Sequence, residues 1–248
     1  MHRSAALALS LSLALLPPAA SAVAEEFTPE QEEAIQALVR DYILEHPEII
    51  LEAVQKLEAK QAEAANSSRT GAIEEQWSAL TEAPASPVLG NAQGDVTVVE
   101  FFDYNCGYCR HMTKDIFALV EGDGNIKYVL KELPIFGQGS RFAAKAALAA
   151  QKQGMYGKYH YAMMTSDQKI DETTAMAIAA EVGLDVAKLK VDMLDPALDA
   201  ELDQNFALAN ALKVEGTPAM LIDKQFVPGA RSAEDLAQLV ETAREASN

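Results

Sequence analysis

The chain is short of cysteine, tryptophan and positive charge, and each shortage narrows what it can be. Only Cys106 and Cys109 occur in 248 residues, so no third thiol exists for a crosslink elsewhere, and a disulfide scaffold is excluded. No second C-x-x-C or paired-histidine motif is present to complete a tetrahedral zinc site. Twenty Lys and Arg stand against 37 Asp and Glu, a formal net charge of −17. Such a surface repels phosphate backbones at long range, and nucleic acid is not expected as a partner. No apolar run reaches the roughly 20 residues that a membrane helix needs. What is there instead is 49% hydrophobic and 23% charged residues, enough for a packed core.

Met1-His2-Arg3 is a short basic start, followed by an apolar run from Ala5 to Leu16, Pro17-Pro18, and small-x-small triplets at Ala20-Ser21-Ala22 and Ala22-Val23-Ala24. That pattern predicts a secretory signal peptide over residues 1–24. Export would carry the thiols into an oxidising space, where disulfides form and persist.

Residues 25–66 are rich in Glu, Ala, Gln and Leu. Ile35, Leu38, Val39, Tyr42 and Ile43 fall at helical spacing, His46-Pro47 breaks the pattern, and Ile50, Ala53, Val54 and Leu57 resume it. Two amphipathic helices with no strands beside them must cover their apolar stripes on the main domain or on copies of the chain. Residues 67–90 read as a linker, with a short helical stretch around Ile73 to Leu80 that holds Trp77, and then Ala83-Pro84-Ala85-Ser86-Pro87.

From Asp95 the pattern changes. Val96 to Phe102 is a β-branched and aromatic run, expected as a buried strand. Cys109 to Val120 reads as helix and Ile126 to Leu133 as strand. Several helical segments fill about 140–212, Ala219 to Ile222 and Gln225 to Val227 return to strand, and Ser232 caps a last helix. The expected fold is α/β with a helical insertion, over residues 91–248.

The C-x-x-C pair sits where the first strand turns into a helix. Backbone N–H groups and the helix dipole there favour an anion, so Cys106 is the expected thiolate; a fall in pKa from about 8.5 to around 5 would favour the thiolate by roughly 4–5 kcal/mol. A stabilised thiolate is a good leaving group. Cys109, one turn on, is the expected buried partner that resolves a mixed disulfide by attacking Cys106. The alternative is a binding protein in which the two thiolates hold Cu(I), a soft ion suited to sulfur.

Glu100-Phe101-Phe102-Asp103-Tyr104 before Cys106-Gly107-Tyr108-Cys109, with Gly216-Thr217-Pro218 before a later strand and a helical insertion between, resembles the thioredoxin superfamily and, within it, bacterial DsbA-type disulfide-bond proteins. The acidic extension, with Phe27-Thr28-Pro29-Glu30-Gln31 and Glu45-His46-Pro47-Glu48, is similar to the suppressor-of-copper-sensitivity C-type (ScsC) proteins. The resemblance implies a thioredoxin fold, periplasmic localisation and thiol-disulfide exchange at Cys106 and Cys109 without a cofactor. It implies reduction or isomerisation of disulfides in secreted proteins, or DsbA-like oxidation if the chain is a monomer. It also implies a membrane redox partner that resets the dithiol, and a homo-oligomer, such as a trimer, formed through residues 25–65. It makes Pro218 a cis proline facing the dithiol, with Thr217 holding an extended substrate. Glu100 becomes a buried acid serving Cys109, with Lys131 as its pairing partner beneath the site. Gly107 and Tyr108 replace the Pro-His of the strongest oxidases, and Tyr104 or Tyr108 would supply the aromatic wall of the substrate groove.

Overall fold

A computed structural model describes residues 27–246; the predicted signal peptide lies outside these residues. Two compact units are present, residues 1–60 and 61–248, the first of which is described from Phe27 on. No described helix is long and apolar enough to cross a membrane.

The first unit holds α1 (Pro29–Glu45) and the start of α2 (Glu48–Thr81). Thr28 opens α1 with a capping box: its hydroxyl accepts from the Gln31 N–H, while the Gln31 side chain accepts from the Thr28 N–H. His46 ends the helix and Pro47 precedes α2. The α1 helix buries no residue, and Leu38, Tyr42 and Leu44 are exposed along it.

The linker expected over 67–90 is corrected by the structure. Helix α2 continues without a break to Thr81, because Ile73 and Leu80 recur on one side and are buried against the sheet of the second unit. Val88–Gly90 then forms a short edge strand, β1.

The second unit is built on a five-stranded mixed sheet in the order β1-β3-β2-β4-β5, with β2 at Val96–Phe102, β3 at Ile126–Glu132, β4 at Ala219–Ile222 and β5 at Gln225–Pro228. Strands β2 and β3 are parallel, joined through α3 (Gly107–Asp123), and the other pairings are antiparallel. Between β3 and β4 lie α4 (Gln138–Ala150), α5 (Tyr156–Met164), α6 (Glu172–Val182), α7 (Val186–Asp192) and α8 (Pro196–Ala211); α9 (Ala233–Ala246) follows β5.

The sheet is covered on both sides, so its central strands are apolar almost throughout. Val98, Phe102, Tyr128 and Leu130 point into the core that contains the dithiol and the inserted helices. Val99, Phe101 and Val129 point into a second core with Ile73, Leu80 and, partly buried, Trp77. The single tryptophan therefore packs on the face away from the cysteines.

Candidate active site

Cys106 is the N-cap residue of α3, extended at φ −78° and ψ 115°, and the Arg110 N–H donates to its carbonyl at 3.1 Å. Its sulfur thus lies where the first-turn N–H groups converge. The pKa of the Cys106 thiol is held down to about 6, first by a hydrogen bond from the Cys109 thiol, then by the Thr217 side chain and the backbone N–H groups of Cys109 and Tyr108, against the opposing effect of burial. Cys109 is fully buried, and its thiol is pushed far up by desolvation, by its bond to Cys106 and by the Glu100 charge. Both cysteines are free thiols, so one site holds a nucleophile and a protonated reserve.

The bond between Thr217 and Pro218 is cis, and the Thr217 carbonyl accepts from Cys106 Sγ at 3.1 Å. This brings together two segments 111 residues apart in sequence. Gly107 and Tyr108 face outward, and a Cβ built on Gly107 would meet nothing within 4 Å, so the surface is open at the residue after Cys106. Tyr108 is 72% exposed.

Glu100 is buried on the dithiol side of β2 and accepts a hydrogen bond from the Tyr128 hydroxyl. Desolvation pushes its carboxyl up to about 7, with the Tyr128 bond working the other way and the Cys106 charge adding to the rise.

Lys131 does not pair with Glu100. Glu100 is in register with Leu130, and because side chains alternate along a strand, Lys131 projects from the opposite face. There it is fully buried and donates to the Ala79 carbonyl at 2.9 Å and to Ser86 Oγ at 2.7 Å; Ser86 in turn donates to Glu201 Oε1 at 2.7 Å. Burial depresses the ammonium to about 8. Lys131 fastens the end of α2 and the following loop to the sheet, and lies outside the redox site.

Tyr104 is also placed differently from the expected groove wall. It is 1% exposed, with its hydroxyl 3.0 Å from Glu132 Oε1 and 3.0 Å from His160 Nδ1. Tyr156 donates to the same Glu132 oxygen at 2.9 Å. Desolvation holds the Glu132 carboxyl well above its usual range and brings His160 down to about 3, so this buried cluster is neutral. Sequence reading missed Tyr128, Glu132 and His160. The spacing of Ile126, Tyr128, Leu130 and Glu132 on alternate positions was the available sign that Tyr128 and Glu132 share a face.

The loop before the nucleophile is tied down on several sides. Asp103 Oδ1 accepts from the Asn105 N–H and the Ser140 hydroxyl, each at 2.7 Å, and Oδ2 accepts from the Phe136 N–H at 3.0 Å. Asn105 bonds both backbone groups of Ile170, accepting from its N–H and donating to its carbonyl at 2.9 Å each. The helical insertion therefore grips the residue that precedes Cys106.

Among the described residues, no group of three or more His, Cys, Asp or Glu side chains is arranged to hold a metal ion. What the site can do is exchange sulfur partners: Cys106, 3% exposed, donates to the Thr217 carbonyl as a thiol and becomes the nucleophile once it ionises, Cys109 stands behind it as a protonated thiol, and a carboxyl that titrates near neutrality lies beneath both.

Comparison with known proteins agrees with this chemistry. Residues 31–64 match the N-terminal domain of the copper resistance protein ScsC. A crystal structure of a thioredoxin-like oxidoreductase from Silicibacter pomeroyi is 46% identical and superposes with a TM-score of 0.66, covering 68% of this chain and 97% of that one. A linker-deletion variant of Proteus mirabilis ScsC is 26% identical at a TM-score of 0.69, covering 91% of this chain and all of that one. A sodium/proton antiporter NhaA from Herminiimonas arsenicoxydans is 29% identical over 66% of this chain, which spans 27% of the antiporter's length. Residues 97–241, more than half of the chain, match the DSBA-like thioredoxin domain. The chain therefore belongs to the DSBA-like family of thiol-disulfide oxidoreductases.

Proposed function

We propose that the protein is exported to the periplasm and there reduces or isomerises disulfides in other secreted proteins, working as a homo-oligomer. The observation that carries the exchange chemistry is the position of Cys106 Sγ, at a helix N-terminus and 3.1 Å from the Thr217 carbonyl, with Cys109 behind it.

The Cys106 thiolate attacks one sulfur of a client disulfide. A Cys106–client S–S bond forms, the client S–S bond breaks, and the departing client thiolate takes a proton from water. In reduction, Cys109 gives its proton to the Glu100 carboxylate and attacks the Cys106 sulfur. The second client thiolate leaves, the protein keeps a Cys106–Cys109 disulfide, and two electrons have passed to the client. A membrane redox partner then restores the dithiol. In isomerisation, another client thiol attacks the mixed disulfide first, Cys106 departs as thiolate, and no net electrons move.

Support for an oligomer comes from the first unit. Leu38, Leu44, Leu51 and Leu57 are between 55% and 70% exposed, an apolar surface suited to packing against copies of itself. Several dithiols held together raise the effective concentration at one client, which favours reshuffling over a single oxidation.

Light-scattering mass and rescue of a scrambled-disulfide substrate test this on the mature chain and on the L38E/V54E variant. The mature chain should be larger than one copy and should rescue. The variant should be monomeric, should rescue poorly, and should still exchange with a small disulfide. A monomeric wild type that oxidises dithiols without rescuing would replace isomerisation with oxidation, and absence of any exchange would overturn the enzymatic reading.

A further inference from the structure

At Asn105, the residue before Cys106, the surface is indented by a notch of about 380 Å³ lined by Asn105, Arg110, Phe136 and Lys169. Three separate segments build its walls, and each is fastened to the nucleophile's loop. Arg110 lies on the first turn of α3, its N–H on the Cys106 carbonyl. Phe136 is held through its N–H by Asp103. Lys169 adjoins Ile170, whose two backbone groups are both bonded by Asn105. The position of the notch relative to the sulfur is therefore fixed by hydrogen bonds.

Its charge opposes that of the whole molecule. The protein carries a formal −17, yet this notch brings an arginine and a lysine together. Neither Arg110 nor Lys169 is in an ion pair among the described residues. Of the nearby acids, Asp103 is buried with both oxygens bonded, and Asp171 caps α6 by accepting from the Thr174 N–H at 2.9 Å, the Lys169 charge lying within electrostatic reach of it without forming an ion pair. Phe136, 55% exposed, adds an apolar side to the notch, and Ile135, 43% exposed, adjoins it in sequence.

Two cations beside an aromatic ring, in a notch that shares Asn105 and Arg110 with the loop and first helical turn around Cys106, complement a carboxylate carried on a short aliphatic stem. We propose that this notch selects client segments with an Asp or Glu adjacent to the cysteine that bonds Cys106, Arg110 and Lys169 receiving the carboxylate and Phe136 its methylenes. This rests on the disulfide-exchange reading and adds a substrate preference to it. Long-range electrostatics alone gives the opposite order, since an acidic protein attracts basic clients.

That opposition makes the test decisive. Three symmetric peptide disulfides, identical except for Asp, Asn or Lys after the cysteine, are mixed with the reduced mature protein, and the reaction is acid-quenched and followed by mass. Each turnover converts one peptide disulfide to two thiols and the protein dithiol to its disulfide. At low salt the Asp peptide should react about threefold to tenfold faster than the Lys peptide, the ratio shrinking as salt is added. In the R110Q/K169Q variant the ratio should fall to unity or invert. Reading a ratio separates recognition from any change in Cys106 reactivity, which affects all three peptides alike. A Lys peptide that is fastest on the wild type, or an Asp-to-Lys ratio unchanged in the variant, would overturn the preference while leaving exchange intact. No reaction with any peptide would overturn the exchange reading itself, and the preference with it.

Discussion

The two faces of the central sheet each bury an ionisable side chain, and they use it differently. On one face Glu100 sits under the dithiol, bonded to Tyr128 and within electrostatic reach of both cysteines. On the other, Lys131 is surrounded by the Ala79 carbonyl, the Ser86 hydroxyl and, through Ser86, Glu201. Both are desolvated and both have displaced pKa values, so displacement alone does not mark a group as part of the chemistry. The partners decide. A carboxyl that faces a reactive sulfur can move a proton for it, whereas an ammonium whose partners are a helix carbonyl and a serine holds chain segments together.

The largest effect that would sharpen this contrast is on stability. Lys131→Ala removes a donor from the part-buried Ala79 carbonyl and the buried Ser86 hydroxyl, and takes away a charge that interacts with the buried Glu201. A loss of about 3 kcal/mol or more in urea denaturation is expected, while the midpoint of Cys106 alkylation stays near pH 6. A shifted midpoint would join the two faces after all.

Glu100→Gln should act the other way. Release of a trapped mixed disulfide should slow by about 10- to 100-fold in quenched-flow measurements, because Cys109 loses its proton acceptor. The variant should also flatten part of the stability curve. The native carboxyl titrates at about 7 against 4.5 for the free group, so its contribution is full below pH 4.5 and is lost as pH rises through 7. Denaturation midpoints of the reduced protein from pH 4 to 8 check the sign.

A smaller effect belongs to Tyr128→Phe. Without the hydroxyl, the ionised form of Glu100 loses its donor and its pKa should climb above 7, about 1 kcal/mol of differential stabilisation. The pH dependence of mixed-disulfide release reports it. An unchanged profile would detach Glu100 from the exchange step.

How much of this was legible beforehand follows from the range of the interactions. The β-branched run at Val96–Phe102 and the C-x-x-C after it specify a buried strand leading into a helix, and the structure places them so. The proximity of Thr217 and Pro218 to Cys106 could be read only through family resemblance, since it depends on strand pairing between β2 and β4. The error over Lys131 has the same origin. Alternation within β3 is visible in sequence, but whether position 130 or 131 shares a face with Glu100 depends on the β2–β3 register, which is set by tertiary pairing. Tyr104 looked like a groove residue because it precedes the cysteines; its burial follows from Glu132, Tyr156 and His160, which come from a strand and a helix far along the chain. Strand β1 escaped notice because three residues after a proline-rich stretch carry too little periodicity to register.

The Asn105 clamp on Ile170 bears on any attempt to remodel the enzyme. Transplanting a foreign helical insert would cut the two bonds to Ile170 that help hold the loop ahead of the nucleophile. A chimera that kept its full set of thiols could therefore still aim its sulfur in the wrong direction, unless the graft carries a backbone that meets that asparagine.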